Sequence, residues 1–325
     1  MPLSGPLLPR GARLFITGGT GFVGRSLLKF LNDPASGIQD VKVTLLTRNP
    51  ERYAMRYPDL ARGVELLRGD ICDFAWPAAT FSHVIHAAAD TSSDAGNRPL
   101  ELMQTIVDGT ARVLDFAFSY KANKVLFLSS GAIYGRQPAA LEQIPEEYSG
   151  ELDPNEPAGA YGNAKRLAEQ LCTLAARRGL AVQVARLFAF VGEDLPLDAH
   201  YAIGNFIRDA LAGGPIEVKG DGSPIRSYLY QGDLARWLVE ILQRAQPGRS
   251  YNVGSDEAVS IGNLAQLVAD VVAPGAEVRV TRQRADYSGR LRYVPSIQRA
   301  RNELGLAPLI PLADAIRRTA EWHRR

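Results

Sequence analysis

The chain has 325 residues, of which 46% are hydrophobic and 22% are charged, the balance of an ordinary globular protein. This composition excludes a mostly disordered chain, a collagen-like repeat and a disulfide-stapled miniprotein. Lysine and arginine number 37 against 35 aspartates and glutamates, a formal net charge of +2. No overall field therefore draws the chain to nucleic acid or to an anionic membrane.

The two cysteines, Cys72 and Cys172, are far apart in the chain, and we expect both to be reduced. The N-terminal segment MPLSGPLLPRGARLF contains no continuous apolar stretch, so it is a poor signal peptide. No run approaches the roughly 18 apolar residues of a membrane span. The sequence therefore predicts a cytoplasmic protein without nucleic-acid or membrane partners.

Short apolar runs of strand length recur through the first half of the chain. Between most of them lie segments whose apolar residues repeat every three or four positions, as in 100–114 and 164–175. Alternating strands and helices predict βαβ units and a parallel sheet covered on both faces. The predicted strands are Leu14–Thr17, Val41–Leu46, Val64–Leu67, His83–Ala87, Val125–Leu128 and Ala181–Leu187.

The pattern changes after about residue 190, where proline and glycine become frequent and the regular alternation ends. We expect an α/β fold, a doubly wound parallel sheet followed by a smaller C-terminal α/β domain. The apolar segment Ser250–Gly254 is expected to return to the first sheet. The predicted boundaries are 11–190 with about 229–254 for the first domain, and 191–228 with 255–325 for the second.

A glycine-rich loop follows the first strand and opens an amphipathic helix. Its glycines allow a tight turn and let the backbone approach a pyrophosphate, while the helix N-terminus offers free N–H groups. The glycines Gly18, Gly21 and Gly24 give the spacing Gly-x-x-Gly-x-x-Gly, which resembles the extended short-chain dehydrogenase/reductase enzymes, with their Rossmann-type NAD(P)-binding domain. The predicted dinucleotide contacts in this loop are Gly18, Thr20, Gly21, Phe22, Val23 and Gly24.

The end of the second strand bears on the choice of dinucleotide. An acidic residue there would bind the adenosine ribose of NAD, whereas an arginine pairs with the 2′-phosphate of NADP. The segment Thr47–Pro50 has no acid and contains Arg48, so we expect NADP(H) to be favoured over NAD(H). The resemblance implies further cofactor contacts at Asp70, Ile71, Ala87, Ala88, Ala89 and Ser129, the last a structural position.

Tyr161 and Lys165 are four residues apart at the start of a predicted helix, so they share one face. A phenol with an ordinary pKa near 10 exchanges protons poorly at neutral pH, and a nearby ammonium favours its phenolate. The lysine is also placed to hold the nicotinamide ribose, so both residues count as cofactor contacts. The segment ending in Tyr134 and Gly135 resembles the family's Ser-Ser-x-x-Val-Tyr-Gly, which gives Ser130 the hydrogen bond to the substrate oxygen. Ser130, Tyr161 and Lys165 form the predicted catalytic set, with hydride transfer to or from the nicotinamide.

The resemblance covers nearly the whole chain and points to enzymes that modify nucleotide sugars. Segments around residues 186–192, 205–206 and 220–228 resemble the parts that hold the sugar nucleotide, and an arginine fork suits its diphosphate. Thr105 and Ala189 stand where the family usually has asparagine. The expected substrate is a nucleoside-diphosphate sugar, and no metal site is assigned. The predicted substrate contacts are Ser130, Gly131, Ala132, Tyr161, Asn205, Phe206, Arg226 and Arg290.

The two residues that follow the predicted catalytic serine limit which reactions we expect. The resemblance places an Asp-Glu pair here in 4,6-dehydratases and a glutamate at the second position in decarboxylases. Gly131 and Ala132 cannot exchange protons, so the sequence predicts neither reaction and leaves 4-epimerisation or reduction of a 4-keto sugar. Their small size also predicts a roomy pocket.

Two other classes of function stay open. One is an NADPH-dependent reductase of a carbonyl compound without a nucleotide, and the other is a non-catalytic member that only binds dinucleotide. The resemblance also implies a homodimer formed by a four-helix bundle, to which the helices near 100–118 and 160–178 would contribute.

Overall fold

The computed structural model describes residues 7–89, 97–199, 201–281 and 291–325. Strands alternate with helices through its first half, and shorter elements follow. The strands are β1 (Arg13–Thr17), β2 (Lys42–Thr47), β3 (Val64–Arg68), β4 (His83–His86), β5 (Lys124–Ser130), β6 (Val182–Leu187), β7 (Phe190–Val191), β8 (Ile216–Val218), β9 (Ile225–Arg226), β10 (Leu229–Tyr230), β11 (Ser250–Val253), β12 (Val259–Ser260), β13 (Val278–Val280) and β14 (Arg292–Tyr293).

The helices carry the covering layers of the fold, and three short 3₁₀ turns, Pro34–Ser36, Gly131–Tyr134 and Pro157–Gly159, join them to the strands. The α-helices are α1 (Phe22–Asn32), α2 (Pro50–Arg56), α3 (Pro58–Ala61), α4 (Pro99–Ser119), α5 (Ala160–Arg177), α6 (Ala202–Leu211), α7 (Gln231–Arg244), α8 (Ile261–Val272), α9 (Gln298–Leu304) and α10 (Leu312–His323).

Seven parallel strands form the central sheet in the order β11-β6-β5-β4-β1-β2-β3. The six predicted strands are all present, and Ser250–Val253 returns to the sheet as its seventh strand, as expected. The chain order reverses between β1 and β4, and a crevice opens at such a reversal beyond the carboxyl ends of parallel strands. The α/β fold is confirmed.

Each face of the sheet is covered by its own apolar layer. On one face the buried leucines of α1 pack with Trp237 of α7. On the other, Val113 and Phe116 of α4 pack with Ala164 and Ala168 of α5. The continuous apolar strands of the sequence are explained by this double burial, because neither face of the sheet needs polar residues.

A separate apolar cluster joins α6, α8 and α10 around the small parallel pair of β8 and β13. Phe206, Ile207, Val268 and Ile316 are among its buried members. Two further small sheets, β10-β7 and β12-β9-β14, lie outside the central sheet. Within the described ranges, no helix combines the length and apolarity needed to cross a membrane.

Candidate functional site

The glycine loop and the turn after β4 meet at the reversal point of the sheet. Gly18 has φ of +70°, and a Cβ on it would lie 2.5 Å from backbone atoms of Ala87 and Ala88. Gly21 precedes α1 in an extended conformation and provides no side-chain cap. No side chain caps the first N–H groups of α1, an arrangement that fits a dinucleotide pyrophosphate.

His86 fixes this turn from inside the core. Its Nδ1 lies 2.8 Å from Thr17 Oγ1 and its Nε2 lies 3.1 Å from Thr110 Oγ1. Thr110 donates its hydroxyl hydrogen to the Ile106 carbonyl, so His86 carries its proton on Nε2 and accepts from Thr17. Thr17 Oγ1 in turn accepts the Ala88 N–H at 3.3 Å. Burial lowers the pKa of His86 to about 3, with the Lys165 charge adding to this, and the ring stays neutral.

The expected adenosine end of the site is built from loops after β2 and β3. Asp70 Oδ1 accepts the Cys72 N–H at 3.0 Å, which holds the loop in shape. Ile71 packs against α4, where a Cβ on Gly109 would lie 2.9 Å from Ile71 Cγ1. Arg48 is exposed directly after β2, and its carbonyl accepts a hydrogen bond from Arg68 at 3.3 Å.

Lys165 is the most deeply buried charged group of the site, with 2% of its surface exposed. Its Nζ donates to the Leu128 carbonyl at 2.8 Å and lies 4.8 Å from the centre of the Phe127 ring. The centre of the Tyr161 ring is 6.0 Å away. Burial lowers the pKa of Lys165 to about 8, against smaller raising effects of Cys172 and Glu169.

The serine turn, residues 130–134, faces the first turn of α5. Ser130 ends β5, and its Oγ accepts the Ala132 N–H at 3.1 Å. A Cβ on Gly162 would lie 2.6 Å from the Ala132 carbonyl oxygen, so the helix approaches the turn as closely as only a glycine permits. The structure thus brings the elements that carry Ser130, Tyr161 and Lys165 together at the carboxyl edge of the sheet.

Ser129 supplies a second polar atom at this edge. Its Oγ is buried and has no hydrogen-bond partner among the described residues. A buried hydroxyl without a partner is costly, and this one lies in β5 directly before Ser130, the predicted catalytic serine. Together with the Gly18 and Ala87 contact, it fits a site that a bound dinucleotide completes.

The pocket beside Gly131 is not roomy, and this part of the sequence prediction is wrong. A Cβ on Gly131 would collide with the Tyr293 hydroxyl and lie 2.8 Å from Phe188 Cζ. The Tyr293 and Phe188 rings stack with their centres 4.6 Å apart, and Ala132 is buried. The space that the missing side chain leaves is therefore filled by two aromatic residues from distant parts of the chain.

The C-terminal half contains a cavity of about 760 Å³. Asn205 and Phe206 line it, together with two cationic and three acidic side chains, Arg208, Lys219, Asp198, Asp209 and Glu217. None of the predicted catalytic residues lines this cavity. Two predicted nucleotide contacts are thus placed together in one cavity, whereas the charged lining residues were not found from the sequence.

The two predicted diphosphate arginines differ in what the structure shows. Arg226 lies in β9, partly buried, and its Nη1 donates to the Ile225 carbonyl at 2.8 Å. β14 pairs with β9, which sets Tyr293 beside Arg226 in the register. Arg290 lies outside the described residues.

The sheet, the glycine loop and the Tyr161–Lys165 helix define a dinucleotide-binding α/β enzyme. The profile of the NAD dependent epimerase/dehydratase family matches residues 14–254, and the chain belongs to this family. The extended short-chain dehydrogenase/reductase resemblance is confirmed by this match.

Named relatives span nearly the whole chain. UDP-glucuronic acid decarboxylase 1 of Xenopus tropicalis is 29% identical over 317 residues, covering 96% of this chain and 72% of that protein. A probable dTDP-glucose 4,6-dehydratase of Sinorhizobium fredii is 27% identical, covering 96% and 92%. The solved structure of DesIV, a dTDP-glucose 4,6-dehydratase of Streptomyces venezuelae with NAD bound, is 25% identical with a TM-score of 0.80, covering 96% and 97%.

These relatives overturn the exclusion of dehydratase and decarboxylase chemistry. The exclusion depended on Gly131 and Ala132 alone, yet proteins named for both reactions are similar to this chain along almost its full length. The structure gives the physical reason, since the Tyr293 hydroxyl occupies the space beside Gly131. The residue types at positions 131 and 132 therefore do not define which polar groups surround the substrate.

Proposed function

We propose that this chain oxidises one ring carbon of a nucleoside-diphosphate sugar, C4, by hydride transfer to a bound nicotinamide dinucleotide. The observation that carries this proposal is the close approach of the serine turn to the helix with Tyr161 and Lys165, beside the glycine loop. The cavity lined by Asn205 and Phe206 supports a nucleotide on the substrate. The names of the relatives support the same class of substrate.

Each catalytic residue has one task in this step. Tyr161 takes the proton of the sugar hydroxyl, and Ser130 donates a hydrogen bond to the oxygen as it becomes a carbonyl. Lys165 keeps positive charge beside the phenolate. The dinucleotide, when bound, supplies the hydride acceptor. The substrate is held between the sheet domain and the smaller C-terminal domain.

A 4-keto sugar is a common starting point for several outcomes. Reduction from the other face gives the 4-epimer, and delivery of a hydride to a 4-keto substrate is the ketoreductase reaction. Elimination of water and loss of a carboxyl group both become easier once a neighbouring carbonyl stabilises the developing negative charge. The proposal therefore concerns the oxidation that these outcomes share.

The test begins with denaturing the purified protein and identifying any released dinucleotide by mass. The protein is then incubated with NAD and NADP and with uridine, thymidine, guanosine and cytidine diphosphate sugars deuterated at C4. Deuterium found on the nicotinamide, at another carbon of the product, or back at C4 with inverted configuration supports the proposal. Reduction of a simple carbonyl compound with every nucleotide sugar left unchanged contradicts it.

We further propose a preference for NADP(H), which Arg48 supports. Its guanidinium is exposed directly after β2, where an acidic residue would instead bind the ribose of NAD. Arg68 donates to the Arg48 carbonyl, but its charge is offset by an ion pair with Glu51, so the preference rests on Arg48.

Replacing Arg48 with aspartate is expected to weaken NADPH binding about tenfold relative to NADH binding. The attraction between the arginine and the 2′-phosphate is replaced by repulsion between the aspartate and that phosphate. Calorimetric titration with each dinucleotide measures the ratio. Arg62→Asp, an exposed arginine near Asp59, is the matched control and should leave the ratio unchanged. An unchanged ratio in Arg48→Asp would remove the basis for the preference.

We propose a homodimer formed through α4 and α5. Leu167 and Leu174 of α5 are 44% and 49% exposed, and Leu100 of α4 is 69% exposed. Residues 167 and 174 are two helical turns apart, so they form one apolar stripe. Exposed leucines along two neighbouring helices are typical of an interface between subunits.

The Leu174→Arg variant is therefore expected to be monomeric, because a charge in the stripe cannot be buried without a partner. Sedimentation velocity measures the mass. Met55→Arg, at a residue that is 84% exposed on α2, serves as the control and should keep the mass of the unmodified protein. A Leu174→Arg protein of unaltered mass would place the contact elsewhere or show that none exists.

A further inference from the structure

One buried arginine joins the two halves of the catalytic set. Arg186 lies in β6 directly beside Ser129 of β5 in the register. Its Nε donates to both carboxylate oxygens of Glu169 at 3.1 and 3.2 Å, and its Nη2 donates to Glu169 Oε2 at 2.8 Å. Its Nη1 donates to the Tyr134 hydroxyl at 2.7 Å and to the Glu146 carbonyl at 3.0 Å.

The two main partners of Arg186 belong to the two catalytic elements. Tyr134 ends the 3₁₀ turn that follows Ser130, and it is fully buried. Glu169 lies on α5 one turn after Lys165. The guanidinium therefore connects the end of the serine turn to the helix that carries Tyr161 and Lys165, through two side chains rather than through the backbone.

The network is closed on its far side as well. Tyr134 donates its hydroxyl hydrogen to Asn252 Oδ1 at 2.8 Å, and the Asn252 side chain donates to the carbonyls of Ile144 and Ser296. The Asn252 N–H binds Glu146 Oε1 at 2.9 Å. Since nearly every polar atom has a partner, movement of any one of these side chains would leave a buried group unpaired.

Charge gives the arginine a second effect on the site. The titratable groups around Lys165 are Tyr161, Glu169 and Cys172 on its own helix and His86 on β4. Burial raises the pKa of the Cys172 thiol and holds His86 neutral. Glu169 is then the remaining source of negative charge in this group, and Arg186 is the cation that offsets it.

We propose that Arg186 is a positioning residue, which holds the serine turn against the catalytic helix through Tyr134 and Glu169 and offsets the carboxylate beside Lys165. This inference rests on the proposed function, because it assigns Arg186 a part in the oxidation carried out by Tyr161. The planar fork is essential to it, since a lysine could not bind the carboxylate through two donors and still reach Tyr134.

The test compares Arg186→Met and Arg186→Lys with Arg299→Met. Arg299 is the matched control because it is equally enclosed, with 13% of its side chain exposed, and pairs with Glu147 in the same loop as Glu146. It touches neither catalytic element in the contacts described. Thermal midpoints, kcat and KM are measured for each variant.

Arg186→Met is expected to lower kcat about 10- to 100-fold with little change in KM. Displaced catalytic groups stabilise the transition state less well, while binding of the substrate is little affected. Arg186→Lys should recover part of kcat. Arg299→Met should lose thermal stability and keep kcat. If Arg186→Met loses only stability, as Arg299→Met does, Arg186 is merely structural and the proposal is overturned.

A second readout needs no sugar. The ionisation of Tyr161 is followed by phenolate absorbance, as the difference between each variant and the same variant carrying Tyr161→Phe. Arg186→Met removes a cation and should raise the ionisation midpoint of Tyr161 by about half a pH unit or more. Glu169→Gln removes an anion and should lower the same midpoint. An unmoved midpoint in Glu169→Gln overturns the charge effect even if Arg186→Met does not fold. Shifted midpoints in a protein that turns over no nucleotide sugar would instead contradict the proposed function.

Discussion

The Tyr161→Phe protein should bind dinucleotide normally and turn over its substrate about 1,000-fold more slowly, the effect of removing a general acid–base group. Phenylalanine keeps the ring and its packing on the buried face of α5, so the fold is retained. What disappears is the hydroxyl that, in the proposed mechanism, takes the proton of the sugar. Calorimetry with the dinucleotide and steady-state rates with the nucleotide sugar measure the two effects separately.

The control for this prediction is Tyr120→Phe. Tyr120 directly follows α4 and donates to the Pro77 carbonyl, so its hydroxyl already has a structural partner. Its loss should leave kcat close to that of the unmodified protein. If Tyr161→Phe retained full activity, the acid–base role would belong to another group, and the Tyr293 hydroxyl beside Gly131 would be the first to examine.

The parts of this fold that the sequence predicted correctly depend on local patterns. Strands buried on both faces are continuous apolar runs, and the amphipathic face of α1 follows directly from the spacing of Leu27, Leu28 and Leu31. The glycine loop is recognisable because its conformation, including φ of +70° at Gly18, is one that other residues rarely adopt. Tyr161 and Lys165 are four positions apart on one helix, so their shared face needed no tertiary information.

The wrong prediction, a roomy pocket beside Gly131, has a non-local cause. A small residue predicts free space only when nothing else enters, and here Phe188 and Tyr293 enter from other elements. Tyr293 reaches the site because β14 pairs with β9, a two-residue contact with no recognisable signature in the sequence. The exclusion of dehydratase and decarboxylase reactions was wrong for the same reason. It considered only the two residues after the serine and ignored side chains that reach the site from other elements.

The Arg186 network was missed for a related reason. Its members come from β6, the serine turn, α5, the loop before residue 147 and β11, and no spacing rule connects them. Glu169 could have been placed on the lysine face of the helix from its i+4 position, since that periodicity is local. Arg186, the partner of Glu169, could not have been placed from the sequence, because the strand order of the sheet decides which side chain lies opposite Glu169.

Replacing Lys165 with methionine should have opposite effects on activity and stability. Turnover is expected to fall about 100-fold or more, because the ammonium beside the phenolate of Tyr161 is then lost. The free energy of unfolding should increase at neutral pH, because the variant no longer buries an ammonium. In the unmodified protein, burial lowers the pKa of Lys165 from 10.5 to about 8. That shift corresponds to a cost of about 3 kcal/mol when the charged form is folded.

The sign of the stability effect follows from proton binding. Between pH 8 and pH 10.5 the folded lysine is neutral while the unfolded one still holds its proton, so the native protein gains stability as pH rises through this window. Methionine has a similar length and no proton to lose. The stability gained by Lys165→Met should therefore be largest below pH 8 and decrease toward pH 10.5.

The lost hydrogen bond to the Leu128 carbonyl opposes this gain by about 1 to 2 kcal/mol, because a buried acceptor loses a donor. The desolvation cost is the larger of the two, which leaves a net gain of about 1 to 2 kcal/mol. Urea unfolding of both proteins at neutral pH and again near the upper end of the window measures it. Lys29→Met, at a lysine whose side chain is 32% exposed and paired with Asp194, should show no gain at either pH. A Lys165→Met protein less stable than the unmodified one at neutral pH would mean that the Leu128 contact outweighs desolvation, so that the buried lysine stabilises the fold as well as serving catalysis.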